Sequence, residues 1–293
     1  MDQGTFRRFK DLVRAMGFYR RRPGQVHSDG AVLAVYQWAV LNDRPVDWAC
    51  RPHSWPPGAW RGSLPSQSCM SRRMRTERFA LQLRRIEQAA RPPVDALTLL
   101  ACIDAKPLVV AWHSTDPHAG KGRGAGALAR GYKLHALVDA CGRLMSWRLA
   151  GLDVDEKVIG ARLLRDLEGV CYVVGDAAYN SNQLFGIAST RGARLIAPRK
   201  RSHQGKGLGN HQHHPDRLRS IDLLEDGLEP FALALLRARR AVERFFGNLT
   251  NFGGGLTCLP PWVRGYPRTL AWTTAKLITL HIRNTRGHNA MAA

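Results

Sequence analysis

LTLLACID, residues 97–104, is a short apolar run that closes on a carboxylate, the pattern of a strand buried on both faces. VCYVVGD (170–176) repeats it and again ends on an aspartate. Between the two, GYKLHALVD (131–139) and RLMSWRLA (143–150) read as paired strands turning at Ala140–Cys141–Gly142. VDEKVIGARLLRDLEG (154–169) places Val158, Leu163, Leu164 and Leu167 on the apolar side of a helix. A short helix opened by Asn180 or Ser181 covers 180–190, and ARLIAP (193–198) adds a strand stopped by Pro198. Three strands, helix, strand, helix, strand is the order of an α/β domain built on a mixed sheet.

Upstream the pattern is helical. AVLAVYQWAVL (31–41) follows Ser28 and Asp29, both good helix-capping residues, and is too short to span a bilayer. LPSQSCMSRRMRTERFALQLRRIEQAA (64–90) follows a Pro-, Gly- and Trp-rich loop, with Ser66 or Ser68 as its cap and Arg72, Arg73 and Arg75 in its first exposed turns. This suits a helix-turn-helix with a recognition helix, and equally an Arg-rich helix on a solvated face. Arg91–Pro92–Pro93 then reads as a linker, so the expected division is a helical region at 1–95 and an α/β domain at 96–293. Within the latter, 199–228 is a polar, His- and Gly-rich insertion without periodicity. Residues 230–250 form one strong helix whose core stripe is Leu235, Ala238, Val242, Phe245 and Leu249, and 268–284 a terminal helix.

Charge narrows the partner. The 293 residues carry 44 Lys+Arg against 23 Asp+Glu, a net charge of +21, and self-repulsion of that size is relieved by a polyanion, nucleic acid first among them. The surplus is uneven: residues 96–190 hold ten basic and nine acidic side chains, so the basic excess flanks a nearly neutral middle. GKGRGAG (120–126) lacks the Lys-Ser/Thr ending of a P-loop and is read as a loop that touches DNA. The six cysteines are dispersed, without a C-x-x-C pair, and are expected to be reduced and structural. The charged N-terminal stretch MDQGTFRRFKDLVRAMGF offers no secretory h-region, which together with the absence of an apolar span gives a cytoplasmic expectation. His113, His135, His203, His211, His213 and His214 match no zinc spacing, so no histidine metal site is expected. Trp112 and Trp147 are expected in the core.

Three carboxylates stand out. Asp104 and Asp176 end apolar strands, and Glu243 is the only acid among residues 237–293, amid nine Lys+Arg. Acids at strand ends point into the crevice where open α/β sheets bind ligands, and a helix can carry Glu243 across from them. Anions converging there repel one another unless hard cations join them, which suits two-metal phosphoryl transfer.

These residues resemble the DDE transposases of bacterial insertion sequences, over roughly residues 64–285. IDAKPL (103–108) resembles the first-aspartate strand of that family, GYKLHALVD its second strand, GDAAYNS (175–181) its second-aspartate motif and RRAVERFFGNL (239–249) its glutamate helix. The resemblance implies an RNase H-like mixed-sheet core behind a small helix-turn-helix-like DNA-binding region. It also implies that Asp104, Asp176 and Glu243 are the catalytic, metal-binding triad for Mg2+ (or Mn2+). Where many relatives carry a Tyr, an Arg and a Lys around the glutamate, this chain has Leu236, Arg239 and Thr250. The implied substrate is double-stranded DNA, both terminal inverted repeats and target, bound by a homodimer or higher assembly at the nucleoid. Expected DNA contacts are Arg72, Arg73, Arg75, Arg130, Lys133, Arg239, Arg240 and Arg244. A non-catalytic repressor derived from a transposase, and a structure-specific nuclease on the same core, are the alternatives.

Overall fold

In the computed structural model, which describes residues 3–124, 126–199, 208, 212–225, 230–251 and 255–291 (286–291 by backbone alone), the run at 97–104 opens the longer strand β1 (Thr98–Val110). β2 (Gly120–Gly124), β3 (Ala127–Asp139), β4 (Leu144–Gly151), β5 (Val170–Val174) and β6 (Arg194–Ile196) complete a six-stranded sheet. The order is β2-β3-β1-β5-β6, with β4 also paired to β3. β3 runs antiparallel to β1, β2 and β4, whereas β5 lies parallel to β1 and β6 parallel to β5. This is the mixed α/β sheet expected, preceded in sequence by helices.

The chain divides into two compact units, Pro93–Gly247 around the sheet and Met1–Pro92 together with Asn248–Ala293. The first boundary lies between Pro92 and Pro93. The C-terminal segment, however, joins the N-terminal helices instead of the sheet, because its long helix Tyr266–Met291 shares buried polar partners with them. The Gln37 side-chain amide donates to the Ala275 carbonyl at 3.2 Å and to Thr279 Oγ1 at 2.9 Å. Lys276 Nζ donates to the Val40 carbonyl, and His281 Nε2 lies 3.0 Å from Glu87 Oε1. Such hydrogen bonds between residues more than 190 positions apart leave no periodic trace in the sequence.

Ser28 caps the helix Asp29–Leu41, as expected, and frees Asp29 for another role. Its buried carboxylate receives Arg78 Nε at 2.7 Å, the Gln82 amide at 2.8 Å and the Arg73 guanidinium. Ser66 caps Gln67–Met74, the chain turns at Arg75, and Thr76 caps Glu77–Ala90, giving two successive short helices.

In the sheet unit the helices Glu156–Arg165 and Asn182–Thr190 cover one face, packing Leu163, Leu164, Leu184 and Phe185 on Ala101, Ile103, Leu137 and Val173. Ser181, one of the two expected caps, opens the second of these helices. The other face of the sheet meets residues 230–247: Cys102 Sγ donates to the Ala238 carbonyl at 3.3 Å, and Tyr172 packs edge-on against Phe231. Residues 230–250 are not one helix. Pro230–Ala238 and Arg240–Asn251 are separated at Arg239, where three-residue hydrogen bonds (Arg239 N–H to Leu236, Val242 N–H to Arg239) replace the α-helical ones.

Three other expectations are corrected. The insertion at 199–228 holds a helix, Pro215–Glu225, tied to Ala197 through Ser220; much of the rest, with His203 and His211, lies outside the described residues. Trp112 is 46 % exposed instead of buried, and Trp147 is half-buried. All six cysteines are free, as expected, but Cys141, Cys171 and Cys258 are exposed. Among the described residues no helix is long and apolar enough to cross a membrane.

GKGRGAG is not a loop. Its glycines alternate along β2 because the chain leaving β4 crosses directly over that strand, so a Cβ on Gly122 would land on the Leu152 carbonyl oxygen. Gly122→Ala is therefore expected to cost about 1–3 kcal/mol, read as a lower urea midpoint, while Lys121→Ala beside it stays within about 0.5 kcal/mol of wild type. Equal midpoints for the two variants would show that the close approach is absent.

Candidate active site

Parallel pairing of β1 with β5 sets Ala101 beside Val173 and Cys102 beside Val174. Continued for two residues, that register brings Asp104 level with Asp176 at the carboxyl end of β5. Gly175 lies between them in sequence, and a Cβ there would already touch Ile103 and the Tyr179 ring at 3.0 Å. Each aspartate is oriented locally. Asp104 Oδ1 accepts the Ala105 N–H at 2.7 Å, and Asp176 Oδ1 accepts the Ala178 N–H at 2.9 Å as cap of the turn Ala177–Tyr179.

Burial pushes the Asp104 carboxyl above its ordinary value. The Ala105 N–H and the Arg239 charge oppose that rise, and the charge of Asp176 adds to it. Arg239 Nη2 stands 3.6 Å from Asp104 Oδ2, an ion pair too long for a hydrogen bond, and its buried Nε has no partner among the described residues. The helix break places Arg239 there, and the Cys102–Ala238 hydrogen bond pins the preceding residue to β1. The Tyr179 hydroxyl, fully buried without a hydrogen-bond partner among the described residues, is held above its ordinary value by burial and then by Asp104, Glu156 and Asp176.

Glu243 is exposed on Arg240–Asn251, and among the described residues no three His, Cys, Asp or Glu side chains lie close enough to share one metal ion. That helix is fixed over the β3–β4 turn, where Arg244 Nη2 donates to the Ala140 carbonyl at 3.3 Å. The donor chemistry at Asp104 and Asp176 nevertheless fits a hard divalent cation: two neighbouring carboxylates, one desolvated, supply oxygen ligands and carry charge that Arg239 alone offsets poorly.

The cations singled out in the sequence separate into two groups. Arg72, Arg75 and Arg240 are exposed. Arg73, Arg130 and Lys133 have partners within the fold: Arg73 holds Asp29, Lys133 Nζ meets Glu156 Oε1 at 2.8 Å, and Arg130 donates to the carbonyls of Ser114, Asp116 and Ala119. His135, wholly buried beside Lys133, is lowered to about 3 by burial and by that charge, so it is neutral at any working pH. Sequence reading passed over Tyr179, and took Lys121 and Arg123 as part of a DNA-touching loop without seeing the strand that carries them. The Gly-x-Gly-x-Gly alternation around the latter pair was the available signal.

Residues 96–260 match the family model described as Transposase DDE domain. Comparison with curated proteins gave no match.

The raised Asp104 value fixes a sign. Because the folded-state pKa exceeds the unfolded one, near ~3.9, the favourable contribution is complete below the unfolded value and is lost as pH rises through the folded value. In chelator-containing buffer, Asp104→Asn is therefore expected to raise Tm at pH 7, with the gain vanishing below about pH 4. A gain independent of pH, or a loss at pH 7, would refute the desolvated, partly compensated carboxylate.

Proposed function

The chain belongs to the transposase DDE domain family, and from that membership we propose a DNA transposase that cuts insertion-sequence ends and joins them to target DNA. The observation that carries the reading is the neighbourhood of Asp104 on β1 and Asp176 just past the end of the parallel-paired β5, where the charge of Asp176 acts on Asp104, with Arg239 alongside. Asp104 and Asp176 would hold Mg2+ (or Mn2+), and Glu243 is the proposed third carboxylate once DNA is bound. When bound, the cations supply Lewis-acid activation of the attacking hydroxyl and stabilisation of the leaving oxygen.

This chain's own residues do the rest. Arg239, drawn to Asp104 in the free protein, has a donor to give to a phosphate oxygen as the scissile group enters. The Ala105 and Ala178 N–H groups keep the two carboxylates aimed, so little reorganisation is needed. Exposed Arg72, Arg75 and Arg240 contribute to the sequence-independent hold on the duplex. Two ends must be processed together, so the working form is a homodimer or higher on DNA, cytoplasmic and at the nucleoid.

A second reading has its own support. Among the described residues no three carboxylates come together, and Leu236 and Thr250 occupy positions where many relatives carry Tyr and Lys. A copy that binds DNA as a repressor without cutting it would have these features.

The two readings are separated by incubating the full chain with a duplex carrying the inverted repeats that flank its own gene. The transposase reading expects Mg2+-dependent nicking and joined products. Asp104→Asn, Asp176→Asn and Glu243→Gln should each reduce both to background with DNA binding intact or tighter. Cleavage that survives Asp104→Asn overturns the triad, binding without cleavage by wild type establishes the repressor, and cleavage without joined product establishes a nuclease.

A further inference from the structure

The strand β2 reads Gly120-Lys121-Gly122-Arg123-Gly124, and its alternation has a steric cause. Gly122 lies under the Leu152 carbonyl, and a Cβ on Gly124 would meet Val109 and Ala129 at 3.0 and 3.2 Å. The glycine face is therefore closed, and both long cationic side chains leave from the other face. Lys121 and Arg123 are exposed, and neither has a carboxylate partner among the described residues. Lys121 Nζ sits 5.9 Å above the ring of Trp112, which is 46 % exposed, and Leu128, opposite Arg123, is 65 % exposed. Asp153 belongs to the glycine side, packed against Gly120.

Strand register locates this surface relative to the aspartates. Lys121 pairs with Arg130 and Arg123 with Leu128; on the other edge of β3, Arg130 pairs with Val110 and Ala136 with Asp104. Paired residues share a face and alternate residues return to it, so Lys121, Arg123, Leu128 and Asp104 all lie on one side of the sheet. Along β1, the six residues from Asp104 to Val110 span about 20 Å at ~3.3 Å each, close to six base pairs of duplex at ~3.4 Å per pair. Lys121 and Arg123, two residues apart on a strand, emerge about 7 Å from each other, a separation comparable with the step between neighbouring phosphates on one DNA strand.

We propose that the outer edge of β2 is a phosphate-binding rail for duplex DNA: Lys121 and Arg123 hold consecutive phosphates of one strand, with Trp112 and Leu128 against the adjoining sugars, roughly six base pairs from the position served by Asp104. The assignment rests on the transposase reading for its partner but on the strand geometry for its place. Cations on an edge strand also discourage edge-to-edge pairing, and that role alone makes no contribution to DNA affinity.

The test uses the full chain and a labelled random-sequence duplex, since phosphate contacts are indifferent to sequence. Affinity is measured across a salt series for wild type, Lys121→Gln/Arg123→Gln, and the equal-charge control Arg162→Gln/Arg165→Gln, whose exposed residues lie on the helix covering the opposite face. The β2 variant should bind more weakly, with the slope of log K against log salt smaller by about 1.8, two contacts at ~0.9 each; the control should keep the wild-type slope. Ethylation of phosphates about six base pairs from the cleavage position should hinder wild type and not the β2 variant. Equal slopes for all three proteins, or equal losses in both variants, overturn the rail. If wild type cleaves and the slopes are equal, only the rail falls; if wild type neither binds nor cleaves duplex, the transposase reading falls with it.

Discussion

Two neighbouring carboxylates, Asp104 on β1 and Asp176 just past the end of β5, are the constraint around which the sheet unit is arranged. Water would dissipate their repulsion, but Asp104 is largely withdrawn from it, so each available donor is drawn in: two backbone N–H groups and one guanidinium. None of these neutralises the pair, and a single ion pair at 3.6 Å is a weak counterweight to burial. A protein retains such an arrangement at a cost in stability, and sites that bind cations or handle protons are where that cost is usually found. The Cys102–Ala238 hydrogen bond has a place in the same frame. It fixes the residue before the helix break, and therefore fixes where Arg239 can reach.

The central strands were legible because a buried strand flanked by turns is a run of apolar residues with a defined end, and in β1 and β5 the aspartate lies at or just beyond that run. The caps Ser28, Ser66 and Ser181 were legible, each as one of two candidates, for an equally local reason, a short polar side chain directly before a helix. β2 was not. Glycine disfavours strands, and Gly-Lys-Gly-Arg-Gly offers no side chain to suggest one; only the chain segment Gly151–Asp153, folded over it, makes glycine the fitting choice. The break at Arg239 was hidden because the apolar stripe from Leu235 to Leu249 persists through it, with the hydrogen-bond pattern changing while the periodicity does not. The partnership of the last helix with the first ones lies in contacts of Gln37, Glu87, Lys276 and His281 across most of the chain length, beyond any local pattern.

Charge was informative in bulk and misleading residue by residue. A surplus of 21 positive charges points to a polyanion, yet which cations meet it depends on which are already occupied. Arg73 balances a buried aspartate, Arg130 laces the 114–119 loop through three carbonyls, and Lys133 pairs with Glu156 while suppressing protonation of His135. Lys121 and Arg123 look less distinctive in sequence but have no carboxylate partner among the described residues, and their strand has glycines on its inner side.

Arg239 and Glu243 are both placed by the start of one helix. Arg239 stands 3.6 Å from Asp104, whereas Glu243 projects from a helix fastened at Ala140 and is separated from Arg239 by the first turn of that helix. A guanidinium beside Asp104 lowers the cost of a desolvated carboxylate whose ionisation Asp176 opposes, so the position of the helix break sets how far that charge is offset.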